Sequence, residues 1–144
     1  MVNQARAGLH RTIPALPVRD MDAAVAYYRE RFGFDALHVT EGFAVIERDD
    51  AVLHLWAASD EEWRIRPDLA QRPVCSGAES FIAGTASCRI EAADIDALFA
   101  ELEAAGVLHP VSREGVTETD FGTREFATLD VDGNLLTFFR WRGG

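Results

Sequence analysis

Apolar and polar residues alternate, or recur at helical spacing, in two separate blocks of the chain. The first block predicts a strand, a helix and a three-strand meander, at residues 13–18, 20–33, 34–40, 43–48 and 51–57. The helix begins at Asp20 or Asp22, whose carboxylates can accept from the free N–H groups of its first turn, and it ends at Gly33. Because Pro14 and Pro17 cannot donate ladder hydrogen bonds, the first strand is expected at a sheet edge or end.

The second block repeats this order of elements. Its strand, its helix and the last two of its three β segments are predicted at about residues 86–91, 94–105, 124–130 and 135–141. The tetrad Asp20-Met21-Asp22-Ala23 returns as Asp94-Ile95-Asp96-Ala97 where the second helix begins, and Asp132-Gly133 predicts a hairpin between the last two strands. The repeat indicates two copies of one supersecondary unit, and two half-sheets facing each other would leave a cleft in which function should lie.

Residues 59–85 lack such periodicity. Prolines, glycines and charges are interspersed there with Trp63 and Phe81, which predicts a long and ordered connection. We therefore interpret the 144 residues as a single domain with half-units at about 12–58 and 86–141.

The composition narrows the classes of partner. A net charge of −10 disfavours nucleic acid and anionic membranes, because both need a positive protein surface. The same charge would attract a cationic small molecule, or it would simply keep the protein in solution. No apolar stretch approaches the roughly 18 residues of a membrane span, so a cytoplasmic location is expected. Cys75 and Cys88 lack metal or redox spacing and are expected to be reduced thiols.

Standard catalytic signatures are missing from the sequence. There is no Gly-rich phosphate loop, nucleophile elbow or His-x-x-x-His motif, and the four histidines are dispersed. Strand alternation places His54 on one face with Val52 and Trp56, while Leu53 and Leu55 take the other face. His54 is therefore either a polar pocket residue or a metal ligand.

Several segments resemble the vicinal-oxygen-chelate superfamily, which includes glyoxalase I, extradiol dioxygenases, fosfomycin-resistance enzymes and bleomycin-resistance proteins. They are Leu16-Pro17-Val18-Arg19-Asp20-Met21, Tyr27-Tyr28, Phe32-Gly33-Phe34 and Asp130-Val131-Asp132-Gly133-Asn134-Leu135. The resemblance covers nearly the whole chain. It implies an α+β fold in which two βαβββ units pair to form a cleft.

The resemblance also bears on metal binding and catalysis. The positions that carry metal ligands in the enzymes of this superfamily correspond here to Ile13, His54, Ser87 and Thr137, and only His54 is a good ligand. No metal, other cofactor or catalytic residue is therefore expected. The segment from Phe121 to Ala127 is similar to the bleomycin-resistance branch, which usually has Trp where Phe121 stands, and this similarity implies drug binding without catalysis.

The expected ligand is a bleomycin-like glycopeptide with planar heteroaromatic rings and a cationic tail. Such a ligand needs aromatic faces for stacking and carboxylates for its charge. The candidate ligand-binding residues are His38, Phe43, His54, Trp56, Trp63, Asp120 and Phe121, and Glu41 and Glu118 lie beside them in sequence. The alternative for the aromatic residues is a place in the core.

The chain is expected to form a dimer, and two other functions stay open for it. The resemblance implies a homodimer with two interfacial clefts, built by exchange of an N-terminal strand. One rival is a glyoxalase-like lyase or transferase with an incomplete or displaced metal site that uses His54 and a carboxylate such as Glu47 or Glu125. The other rival is a binding protein for an unrelated small metabolite.

Overall fold

A computed structural model describes residues 6–58, 65–73 and 83–143 and contains two βαβββ modules. Module one consists of β1 (Ala15–Val18), α1 (Met21–Phe32), β2 (Asp35–Val39), β3 (Phe43–Arg48) and β4 (Ala51–Ala57). Module two consists of β5 (Ser87–Glu91), α2 (Ile95–Ala104), β6 (Thr117–Glu118), β7 (Thr123–Leu129) and β8 (Leu135–Trp141), with a short 3-10 helix at Pro110–Ser112. The predicted α+β fold of two βαβββ units is confirmed.

Each module forms one mixed four-stranded sheet. Sheet one has the order β1-β4-β3-β2 and sheet two the order β5-β8-β7-β6, so the two modules have equivalent topology. The predicted meander β2-β3-β4 is antiparallel, whereas β1 pairs in parallel with β4. The edge position predicted for the proline-containing first strand is confirmed, although the strand begins at Ala15 rather than at Ile13.

The repeated acidic tetrad forms the N-terminus of both helices. Asp20 accepts a hydrogen bond from the Ala23 N–H, and Asp94 accepts one from the Ala97 N–H, both at 3.0 Å. The cap is therefore the first aspartate of each tetrad. At the end of α1, Gly33 takes the left-handed conformation, with φ 73°, that an αL cap requires.

The core lies between the helices and the faces of the sheets that they cover. Leu53 and Leu55 of β4 are fully buried on that side, as are Phe126 and Leu136 of sheet two. Each such side chain contributes about 1.5–3 kcal/mol to folding when it is fully buried. Phe32 and Phe138 stack across the boundary between the modules at 6.4 Å, so the two halves share one core. No helix in the described ranges is long and apolar enough to cross a membrane.

A buried polar cluster also joins the modules. We call it the module clasp; it consists of the turn at residues 130–134, between β7 and β8, together with Tyr28 and Pro17, which bind that turn. The Tyr28 hydroxyl donates to Asp130 Oδ2 at 2.8 Å, and Asn134 Nδ2 donates to the Pro17 carbonyl at 2.8 Å. Asp130 Oδ1 accepts the backbone N–H groups of Asp132 and Asn134 and so shapes the turn. Burial and the Asp130 charge hold the pKa of Tyr28 well above its ordinary value.

The clasp is held from the other side by Arg19 and Gly84. Asp132 Oδ1 accepts from the Arg19 backbone N–H at 3.1 Å and from its guanidinium at 3.2 Å, and burial raises the pKa of the Asp132 carboxyl. Gly84 has φ +89°, and a Cβ at this position would stand 2.3 Å from the Asp132 carbonyl oxygen. Only glycine fits this close approach.

Candidate ligand-binding site

The face of sheet one that is turned away from α1, which we call the outer face of sheet one, carries an aromatic cluster. The Phe43 ring lies 4.5 Å from the Trp56 ring and 5.0 Å from the His54 ring, the latter edge to face. Strand register explains the contact, because Phe43 pairs with Trp56 and Val45 with His54. All three rings are half-buried, whereas Leu53 and Leu55 take the core side, as the alternation predicts.

His38 joins this cluster because of a β-bulge in β2. The register shifts between Ala36, which pairs with Ile46, and His38, which pairs with Val45. Strict alternation would place Ala36 and His38 on the same face, but the bulge turns His38 to the outer face. Its ring lies 6.1 Å from that of Phe43, and the residue is exposed.

The surroundings of His54 do not fit a divalent metal. Nowhere in the described part of the chain do three His, Cys, Asp or Glu side chains gather as a ligand set. In sheet one the register partners of His54 are Ala15 and Val45, which offer no side-chain donor. Glu125 lies on sheet two, where it forms a salt bridge at 2.7 Å with Arg89. A metal centre built on His54 therefore lacks its other ligands here.

The corresponding outer face of sheet two, turned away from α2, carries a second aromatic group. Phe121 lies in the turn before β7 and is 58% exposed, which excludes the alternative that it belongs to the core. Phe139 and Trp141 project from β8 with their rings 5.9 Å apart. The Arg89 guanidinium lies 4.9 Å from the Phe139 ring centre and 5.6 Å from that of Phe121. This face thus combines aromatic rings with a paired arginine and glutamate.

Three residues of this face, Arg89, Phe139 and Trp141, were not among the site residues predicted from the sequence. A signal for the two aromatic residues was present, since Leu136 and Phe138 alternate with them along β8 and are buried. Because side chains along a strand alternate between the two faces of the sheet, Phe139 and Trp141 could have been assigned to the face opposite the core. No comparable signal marked Arg89, because its contacts depend on the parallel pairing of β5 with β8.

The two outer faces do not meet within one chain. No ring contact or hydrogen bond in the described ranges joins Phe43, His54 or Trp56 to Phe121. Asp120 is exposed next to Phe121, and Glu118 forms a salt bridge with Arg142 at 3.2 Å. Trp63 lies outside the described residues. The other predicted site residues therefore fall on two separate open surfaces.

A cavity of about 440 Å³ lies elsewhere, between the β3–β4 turn and the start of α2. Its lining combines apolar side chains with carboxylates and includes Phe34, Asp50, Ile90, Glu91, Leu98 and Phe138. Among the described residues, none of the predicted binding residues lines it. The outer faces suit a planar ligand better than this cavity does, because their rings are accessible and a second surface laid on either face would close a cleft.

Comparison with known proteins identifies relatives of the whole described fold. The family model of the glyoxalase/bleomycin resistance protein/dioxygenase superfamily matches residues 8–138. Bleomycin resistance proteins from Geobacillus stearothermophilus and Staphylococcus aureus are each 45% identical over 130 residues, which cover 90% of this chain and 96% of theirs.

Solved structures extend the comparison. A bleomycin-binding protein from bleomycin-producing Streptomyces verticillus, crystallised with copper(II)-bleomycin, superposes with a TM-score of 0.68 at 26% identity. That match covers 96% of this chain and all of the other.

Proposed function

Since the chain belongs to the glyoxalase/bleomycin resistance protein/dioxygenase superfamily, we propose that it binds bleomycin-type glycopeptides and sequesters them without converting them. Its relatives at 45% identity are bleomycin resistance proteins. The observation that carries the proposal is the accessible aromatic side chains on both outer faces, the half-buried Phe43 and Trp56 on one and the exposed Phe121 on the other. Stacking on planar heteroaromatic rings needs such accessible faces.

We propose that the chain acts as a homodimer. A two-fold axis that lays the outer face of sheet one on the partner's outer face of sheet two would create two equivalent clefts. Each cleft would then contain Phe43 and Trp56 from one subunit and a Phe121 ring from the other. The N-terminal segment at residues 6–14 supports strand exchange, because it forms no strand of its own and Leu9 is fully exposed.

Charge adds a second contribution to binding. The formal charge of −10 draws a cationic tail toward the protein, and Asp120 stands exposed beside Phe121. Such attraction between exposed groups is screened over about 8 Å at physiological ionic strength, so it weakens with added salt. We place this activity in the cytoplasm and in a single domain; the free thiol of Cys88 supports a reducing compartment.

Calorimetric titration with metal-free bleomycin and with its copper complex tests the binding. We expect saturable binding of one ligand per chain, a lower affinity at 0.5 M than at 0.05 M salt, and recovery of unmodified ligand after the protein is denatured. A chemically altered ligand would exclude pure sequestration, and the absence of any heat of binding would exclude bleomycin as the ligand.

Sedimentation equilibrium tests the dimer. We expect a species of about twice the 15.9 kDa chain mass at micromolar concentration, with and without ligand. A monomer that still binds bleomycin with full affinity would show that the two outer faces act separately and would remove the interfacial cleft.

A further inference from the structure

We infer that Phe121, Phe139 and Glu125 form a slot for a planar cation, and that Arg89 occupies this slot as an internal competitor of the ligand. The inference rests on the proposed function in that it assigns the ligand's cationic group to the outer face of sheet two. Arg89 would then oppose binding, whereas the aromatic rings and the carboxylate favour it.

Arg89 reaches across the sheet to make its contacts. It projects from the edge strand β5, passes Phe139 on β8, and places Nη1 2.7 Å from Glu125 Oε2 on β7. Its guanidinium carbon lies within 6 Å of both ring centres, 4.9 Å for Phe139 and 5.6 Å for Phe121. Both distances fall in the range of cation–π attraction.

The chemistry of the slot suits a positive group, and the group that fills it now, the Arg89 guanidinium, is flat. Two aromatic rings attract the cation through their quadrupoles, and the Glu125 carboxylate supplies a charged acceptor. That carboxylate is held in place, because Thr123 Oγ1 donates to Oε1 at 3.3 Å while Oε2 accepts from Arg89. A ligand cation that enters the slot would make the contacts with the two rings and the carboxylate that the Arg89 guanidinium makes now.

Displacing Arg89 has a moderate cost, that of one ion pair and two cation–π contacts. Its side chain is 45% exposed, so it regains water readily when it swings away. Glu125 is only 14% exposed and would stay in position to receive the incoming cation. The free energy of binding is therefore reduced by the cost of displacing Arg89, and removal of this side chain should increase affinity.

The test is calorimetric titration of bleomycin into the wild-type protein, Arg89→Ala and Arg124→Ala. Arg124 is a matched control because it removes the same charge from β7 but contacts Asp96 on the helix side of the sheet. We expect Arg89→Ala to bind about tenfold more tightly, about 1.4 kcal/mol, and Arg124→Ala to stay within about twofold of wild type. Equal or weaker binding by folded Arg89→Ala would overturn the inference.

A second probe separates this inference from the proposed function. Benzamidinium chloride is a small planar aromatic cation, and we expect Arg89→Ala to bind it at least about fivefold more tightly than wild type. If no variant binds bleomycin but benzamidinium still discriminates, the proposed function fails and the slot stands. If bleomycin binds and neither ligand distinguishes the variants, the slot fails and the proposed function stands. Arg89→Gln replaces Arg89→Ala in both titrations if the alanine variant does not fold.

Discussion

Replacing Tyr28 with Phe removes one hydroxyl from the module clasp and should lower the free energy of unfolding by about 2 kcal/mol. The hydroxyl donates to the buried Asp130 carboxylate at 2.8 Å, and hydrogen bonds to charged groups are worth about 1.5–3 kcal/mol. Asp130 Oδ2 keeps its second donor, Asn134 Nδ2 at 2.9 Å, so the loss lies in the lower half of that range. The melting temperature should fall by about 4–8 °C.

The same substitution has a signature at alkaline pH. Burial and the Asp130 charge raise the pKa of Tyr28 well above its ordinary value, so the folded protein holds the proton that the unfolded chain releases near pH 10. The contribution of Tyr28 to stability is complete below about pH 10 and is lost as the pH rises from there toward the folded-state pKa. The stability difference between wild type and Tyr28→Phe should therefore narrow above about pH 10.

Urea denaturation followed by circular dichroism at pH 7.5 and at pH 10.5 measures both effects. Tyr27→Phe is the matched control, because it removes a neighbouring hydroxyl that is outside the clasp and leaves the ring under Arg31. We expect the control to change stability by less than about 0.5 kcal/mol. Equal losses for Tyr27→Phe and Tyr28→Phe, or a difference that does not change with pH, would refute the reasoning.

Three further predictions follow from exposure and close packing. Phe121→Ala should weaken bleomycin binding by about 1–3 kcal/mol in calorimetry. Because the Phe121 side chain is 58% exposed, the same substitution should change the free energy of unfolding by less than about 1 kcal/mol. A large loss of stability with normal binding would contradict this prediction. Gly84→Ala should destabilise the fold by about 2–4 kcal/mol, whereas Gly42→Ala, with no atom within 4 Å of its added Cβ, should be nearly neutral in the same urea titration. Burial raises the pKa of the Cys88 thiol to about 11, so iodoacetamide at pH 8 should alkylate it far more slowly in the folded than in the urea-unfolded protein, as peptide mass spectrometry would show.

Local sequence signals were sufficient for most of the fold. The acidic tetrads and Gly33 marked helix ends because capping depends only on neighbouring residues. Strand alternation placed His54 and Trp56 on the outer face for the same reason. The hairpin at Asp132-Gly133 was also predictable, and Gly133 adopts φ 94° there.

Features that depend on distant pairing were beyond local reasoning. The bulge that turns His38 outward arises from the register of β2 against β3, and nothing in the residues around it announces the shift. The position of Arg89 over two rings requires the pairing of strands that are far apart in sequence. The separation of the candidate residues onto two outer faces is likewise a property of how the modules pack.

The module clasp also has a consequence for the order in which the chain folds. The Tyr28–Asp130 and Pro17–Asn134 hydrogen bonds join residues that are 102 and 117 positions apart, so each closes one of the longest loops in the protein. Closing such long loops costs chain entropy, and the clasp contacts compensate this cost only once both ends are in place. We therefore expect the clasp to form after the folding transition state. Tyr28→Phe should then accelerate unfolding and leave the refolding rate unchanged in stopped-flow experiments. The lifetime of the native state, rather than the speed at which it is reached, would depend on this one turn.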